Sequence, residues 1–139
     1  MGRSRGGFGT KVHLAAADEQ TTLAAAVTPG QAGDAPQYPG LMAAVPEQCP
    51  VEAAGADKSY DSDAIRADLE GRGIEPVIPP RSNRTEEVRY DKTKYRRRNK
   101  VERLFNRLKQ FRRVATRYDK LDETFLAFIH LAAALVMIR

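Results

Sequence analysis

Three features of the 139-residue sequence predict an α/β fold, with a mixed sheet, an N-terminal hairpin, a crossover helix and long C-terminal helices. They are short alternating runs near the start, a strand–helix–strand succession in the middle, and a helical period in the last third. Thr10 to Ala16 begins as an alternating run and Thr21 to Thr28 forms a second strand. The turn-like Ala17-Asp18-Glu19-Gln20 between them makes the pair a hairpin. Pro29-Gly30 stops the second strand. Residues 29–50 hold five prolines and three glycines, a loop-rich stretch with room for one short helix near Leu41 to Ala44.

Val51 to Ala56 is a strand of poor propensity that leads into Asp57-Lys58-Ser59-Tyr60-Asp61. Ser62 or Asp61 caps a helix from Asp63 to Glu70, and Gly71 or Gly73 stops it. Ile74 to Ile78 is a short strand closed by Pro79-Pro80, so this stretch reads as a parallel crossover unit. Residues 81–91 are a charged loop. From Lys92 to about Arg113 the pattern is helical, with Val101, Leu104, Leu108 and Phe111 on one apolar stripe. A last helix from Lys120 to Ile138 is apolar around most of its circumference, which predicts burial.

The length allows a single domain at most. One cysteine, Cys49, cannot form an internal disulfide, and nothing asks for an oxidising compartment. Positive charges at the start have no apolar core behind them, so the opening is no secretory signal. The longest apolar stretch, Phe125 to Ile138, is interrupted by His130. It falls short of the roughly 20 residues that a bilayer needs. These features exclude a disulfide scaffold and a polytopic membrane protein, and point to a cytoplasmic chain.

Net charge is +5, but its distribution is uneven. Between Arg81 and Lys120 there are 16 Lys and Arg against 5 Asp and Glu, whereas residues 1–80 carry 6 against 11. The basic segment is a footprint for a polyanion, and nucleic acid comes first because Arg is dense there and mixed with Tyr90, Tyr95, Phe105, Phe111 and Tyr118. A solvated helix face is the plainer alternative. An anionic membrane surface fits less well, since the stretch lacks a bulky apolar face.

Within the Lys92–Arg113 helix, Tyr95, Arg98, Glu102, Asn106 and Lys109 would share a polar face. A carboxylate flanked by cations there is either a set of weak i, i+4 ion pairs or a metal ligand among phosphate-binding groups. Spacing by itself favours the ion pairs. Asp57 stands at the carboxyl end of a strand, where ligands gather in open α/β sheets, though acidic residues in strand-to-helix turns are also common.

Three segments resemble the DDE transposases of bacterial insertion sequences, in particular the insertion sequence five group. They are Gly2 to His13 together with Thr28 to Asp34; Ala56-Asp57-Lys58-Ser59-Tyr60-Asp61-Ser62; and the spacing Tyr95, Arg98, Glu102, Lys109. The last is the family's Tyr-Arg-Glu-Lys signature without an offset, and Arg113 to Lys120 with the apolar tail is similar to the usual ending. The resemblance implies an RNase H-like fold and a three-carboxylate site binding two Mg²⁺. Asp57 would be its second and Glu102 its third acidic residue, both metal ligands. Mg²⁺ suits hard carboxylate oxygens, and two ions about 4 Å apart would activate the attacking oxygen and stabilise the leaving one. Arg98, Lys109 and the neighbouring Arg96 and Arg97 would hold phosphates of double-stranded transposon-end DNA, and Tyr95 would stack or hydrogen-bond.

The sequence departs from the family pattern twice. Ser59 stands where the family has Gly, which is expected to cost backbone freedom in the turn. The first catalytic aspartate belongs to a strand upstream of the Gly2–His13 box, and the family's N-terminal DNA-binding region lies upstream too. The chain is therefore expected to be an incomplete RNase H-like domain, the C-terminal catalytic portion of a transposase, inactive alone. Asp18 has no matching context and is read as structural. The implied partners are the missing N-terminal half, a second copy of the chain and nucleoid DNA, with a part in transposition and recombination of a mobile element. The other readings are a degenerate transposase remnant or a non-catalytic basic nucleic-acid-binding protein.

Overall fold

The computed structural model describes residues 2–4, 7–115 and 121–138. The end of the basic segment, including Tyr118, and the family-like stretch 116–120 lie outside them. The chain divides into two compact units, one of Met1–Ala32, Pro39–Pro46 and Lys100–Arg139, the other of Gly33–Tyr38 and Glu47–Asn99.

In the first unit the strands β1 (Gly2–Ser4), β2 (Gly7–Ala16) and β3 (Thr22–Pro29) form an antiparallel sheet in that order. The expected hairpin is β2–β3, with Val12 opposite Val27 and a register shift between Ala15 and Ala16. Asp18 closes its turn by accepting the Gln20 and Thr21 amides, each at 2.8 Å. The Gln20 amide bond is the main reason its carboxyl titrates below the usual range. This is the structural role that its sequence context suggests. Glu19, beside it, accepts from Arg103 at 3.0 Å and Arg107 at 3.4 Å, one helical turn apart on α4 (Asn99–Leu108). Strand β1 was not anticipated, because three residues are too few to show a period.

The core of this unit is Leu104 and Leu108 of α4 with Ala132, Ala133 and Val136 of α6 (Asp122–Met137), and Leu14, Ala16, Phe111 and Val114 pack against it. Leu14 and Ala16 share one face of β2, as alternation requires. Helix α5 (Arg112–Ala115) packs on α6, where the Arg113 guanidinium sits 4.2 Å above the centre of the Phe128 ring. The expected burial of the last helix holds for one side only. Phe125, Ile129 and Val136 are buried, but Leu131, Leu135 and Ile138 are exposed.

In the second unit β4 (Ala53–Gly55) and β5 (Glu75–Val77) pair in parallel, Ala54 opposite Pro76, and α2 (Asp63–Gly71) crosses between them and packs on β5. Of the two capping candidates it is Ser62 whose hydroxyl accepts the Ile65 amide. At the far end Gly73, at φ +74°, allows the Ile74 amide to reach the Leu69 carbonyl at 2.9 Å and the Gly73 amide to reach Glu70 at 3.0 Å. These are the paired bonds of a Schellman stop, so Gly73 rather than Gly71 ends the helix. Ser62→Ala is expected to lower stability by about 0.5–1 kcal/mol, since the cap bond at 3.3 Å is long; urea unfolding measures it.

The strands thus form an antiparallel and a parallel sheet, where the sequence suggested one mixed sheet. The short helix of the proline-rich stretch is α1 (Tyr38–Ala44), preceded by a 3₁₀ turn at Ala35–Gln37.

Candidate catalytic turn and basic segment

Asp57 follows β4 and begins a 3₁₀ turn, Lys58–Tyr60, by accepting the Ser59 amide at 2.8 Å. The Ser59 hydroxyl also donates to the same oxygen, Oδ1, in a very short contact, and lies 2.9 Å from Asp34 Oδ2. No described residue other than glycine has a positive φ. The turn therefore does not need a left-handed residue at position 59, and the expected cost of replacing Gly by Ser is absent. Ser59 adds a hydroxyl between two carboxylates instead.

The other Asp57 oxygen faces Arg98, with Nη2 to Oδ2 at 3.4 Å; both side chains are about one-third exposed. This contact joins the second resembling segment to the third. Tyr60 is half-buried beside them. Burial, helped by the charges of Asp34 and Asp57 and opposed by Arg98, pushes its phenol up to about 12. Tyr60 is thus a neutral hydrogen-bonding group at ordinary pH.

The backbone of the turn is held from behind. Arg81 donates to the carbonyls of Lys58 at 3.2 Å and Ser59 at 2.7 Å. The buried Asp61 carboxylate accepts from Arg66 Nε, two nitrogens of Arg84 and the Arg81 amide, all between 2.7 and 2.9 Å. Burial alone would raise its carboxyl. The bonds from Arg84, Arg81 and Arg66 outweigh that and hold it far below the ordinary aspartate range. The sequence marks Asp61 as a possible helix cap and as part of the family-like segment, but its basic partners are 5 to 23 residues away, so no local pattern could reveal the network.

The basic segment is not one helix. Helix α3 (Lys92–Arg96) ends at Arg97 and α4 starts at Asn99; the Arg97 and Arg98 amides bond back three residues, to Lys94 and Tyr95. Lys94, Arg97 and Arg98 would stack like charges at i, i+3 and i+4 in a continuous helix, which is unfavourable. The single polar face proposed for Tyr95, Arg98, Glu102, Asn106 and Lys109 is therefore interrupted. Tyr95 and Arg98 belong to the second unit. Tyr95 is half-buried with its ring edge-on to Tyr90, at 5.7 Å and 79°, while Arg96 and Arg97 are exposed. Lys94 is paired with Glu75 of β5. Glu102 and Lys109 belong to the first unit. Glu102 is exposed in the first turn of α4, where the helix dipole favours a carboxylate, and Lys109 is exposed just past its end.

Asp57, with Asp34 and the Ser59 hydroxyl close by, presents hard oxygens at a partly exposed turn, a donor set of the kind Mg²⁺ accepts through one or two carboxylates and several waters. No cluster of three or more His, Cys, Asp or Glu suited to a metal occurs among the described residues. The turn therefore fits part of a metal shell.

Asp57 and Arg98, which come from two of the segments that resemble the DDE transposase family, meet within the second unit. The chain belongs to that family: the transposase DDE domain matches residues 2–137. It is 34% identical over 134 residues to a Brucella ovis protein named "Putative transposase for insertion sequence element IS6501", covering 94% of this chain and 98% of that one. Similarity to the Burkholderia cepacia protein named "Putative transposase for insertion sequence element IS402" is 35% over 137 residues, or 92% of this chain and 62% of the relative. No solved structure matches. Among the described residues no helix is long and apolar enough to cross a membrane.

Proposed function

We propose that this chain is the C-terminal catalytic portion of an insertion-sequence transposase of the insertion sequence five group, with an RNase H-like fold. It acts on transposon-end DNA in the prokaryotic cytoplasm and nucleoid. The Arg98–Asp57 contact carries the reading, because it brings two separately resembling segments to one place. Asp57 and Glu102 serve as two of the acidic ligands, and the family resemblance implies a third carboxylate from an N-terminal part. Bound Mg²⁺ would supply activation of the attacking water or 3′-hydroxyl and stabilisation of the leaving oxygen.

The remaining roles fall to the chain's own side chains. Arg98 neutralises Asp57 until a phosphate offers it a better partner. Arg96, Arg97 and Lys109 hold the duplex through its backbone, which positions DNA without reading its sequence. Tyr95 presents its hydroxyl and free ring face to the strand. A second copy handles the paired transposon end.

The test is cleavage of labelled transposon-end duplex with Mg²⁺ by the chain reconstituted with its N-terminal half. Cleavage is expected to require both parts and to vanish with Asp57→Asn while DNA binding persists. Arg98→Ala should weaken binding across sequences and reduce the salt slope of log affinity by about one. Binding with no cleavage by the reconstituted wild type would favour a degenerate remnant or a non-catalytic nucleic-acid-binding protein.

A further inference from the structure

The Ser59 hydroxyl has one hydrogen and two carboxylates within reach, Asp57 Oδ1 in a short contact and Asp34 Oδ2 at 2.9 Å. A hydroxyl donates to one acceptor at a time, so only one of the two contacts is a hydrogen bond at any instant. Asp57 Oδ1 also takes the Ser59 amide at 2.8 Å, a bond that fixes the turn and does not depend on the hydroxyl. Asp34 comes from the loop after β3, about 25 residues away in sequence, and reaches this turn within the same compact unit.

We infer that Ser59 is a two-position donor and that Asp34 is a positioning residue for Asp57. With no cation present the hydroxyl hydrogen points to Asp57. When a divalent cation takes Asp57, rotation about the Ser59 Cβ–Oγ bond carries that hydrogen to Asp34. No bond to hydrogen is broken, and the Ser59 oxygen lone pairs then face the cation side of Asp57. With Asn at position 34 the displaced hydroxyl would have a neutral amide oxygen in place of a charged acceptor, and engaging Asp57 would carry the difference as a penalty. This inference rests on the reading of Asp57 as a metal ligand.

The experiment is titration of the full chain with Mn²⁺, following free Mn²⁺ by electron paramagnetic resonance, in the wild type, Asp57→Asn, Asp34→Asn, Ser59→Ala and the Asp34→Asn/Ser59→Ala double variant. Asp57→Asn should abolish site binding. Asp34→Asn should weaken it about 3- to 10-fold in the wild-type background and have no effect in the Ser59→Ala background, the non-additivity expected of residues acting through one bond. A second readout is the ¹³C signal of the Asp34 carboxyl carbon, which should shift on Mg²⁺ addition and stop responding in Ser59→Ala. A merely structural contact would not produce that loss of response.

An Asp34→Asn effect of equal size in both backgrounds would mean that Asp34 acts by charge alone, and would overturn the inference while leaving Asp57 a ligand. Loss of binding in Asp57→Asn with no effect of Asp34→Asn or Ser59→Ala would do the same. Absent binding in the wild type, or binding indifferent to Asp57→Asn, would remove the ligand reading and the inference with it.

Discussion

Asp61→Asn is expected to destabilise the second unit by about 3 kcal/mol, the lower end of what breaking a buried ion pair costs. The Asp61 side chain is 1% exposed, and its partners Arg66 and Arg84 are 12% and 15% exposed. Each carboxylate oxygen accepts two bonds: Oδ1 from Arg66 and Arg84, and Oδ2 from Arg84 and the Arg81 amide. The amide replacement keeps one acceptor and adds donors facing donors, leaving two guanidinium groups short of their counter-charge. Arg66 keeps the Ile78 carbonyl and Arg84 keeps Asp63, which is why the lower end applies. Urea unfolding at pH 7 with an unchanged slope gives the value. A loss below 1 kcal/mol would show that the network is dispensable.

The same group sets a pH dependence. The folded carboxyl lies below its ordinary value, near 3.9 in unfolded chains. Its contribution is therefore fully present above about pH 4–5 and is lost as the pH falls through the lower folded value. Stability of the wild type should drop more steeply than that of Asp61→Asn as the pH is taken from 5 down to 2, and the two curves should converge. Because Arg81 holds the carbonyls of Lys58 and Ser59 from the residue whose amide binds Asp61, acid should also loosen the turn that begins at Asp57.

The second large effect belongs to Glu102. Glu102→Gln keeps size and polarity but removes a hard anionic oxygen. Loss of groups supporting a metal's ligands already costs 10–100-fold, so if Glu102 is a ligand, as proposed, its loss is expected to reduce Mg²⁺-dependent strand cleavage by more than about 100-fold. DNA binding should change little, since removing a negative charge from a basic segment opposes no phosphate contact. Folding should change by less than about 1 kcal/mol, because Glu102 is exposed in the first turn of α4, where a carboxylate's dipole and surface-pair interactions are each weak. The reconstituted assay with transposon-end duplex decides it. Cleavage surviving in Glu102→Gln would show that Glu102 is a surface carboxylate.

Local chemistry accounts for what was legible in the sequence. The β2–β3 hairpin and the ends of α2 are each set by residues within a few positions of one another, so alternation, capping groups and glycine located them, while the choice of Ser62 over Asp61 and of Gly73 over Gly71 came from the structure. The Asp57 turn and the Tyr95–Lys109 spacing were visible for the same reason. Misreadings arose where a period was extended past a local obstacle. The apolar and polar stripes at 92–113 are compatible with one helix, but the like charges at Lys94, Arg97 and Arg98 favour a break that hydrophobic periodicity does not register. Likewise the all-round apolar character of α6 predicted full burial, whereas the core has partners for one side only.

By itself, the sequence determined the α/β class, the hairpin and crossover in their order, the basic segment and the family resemblance, since all of these are written in composition and short spacings. Only the tertiary structure decided that Arg98 lies against Asp57, that Asp61 anchors the turn through three arginines, and that Asp34 shares the Ser59 hydroxyl with Asp57. Those contacts span up to 41 residues of sequence. They depend on how β4, α2 and the loops fold back together, which no local propensity specifies. The physical reason is that hydrogen bonds and ion pairs act over a few ångströms in space, whatever the distance along the chain.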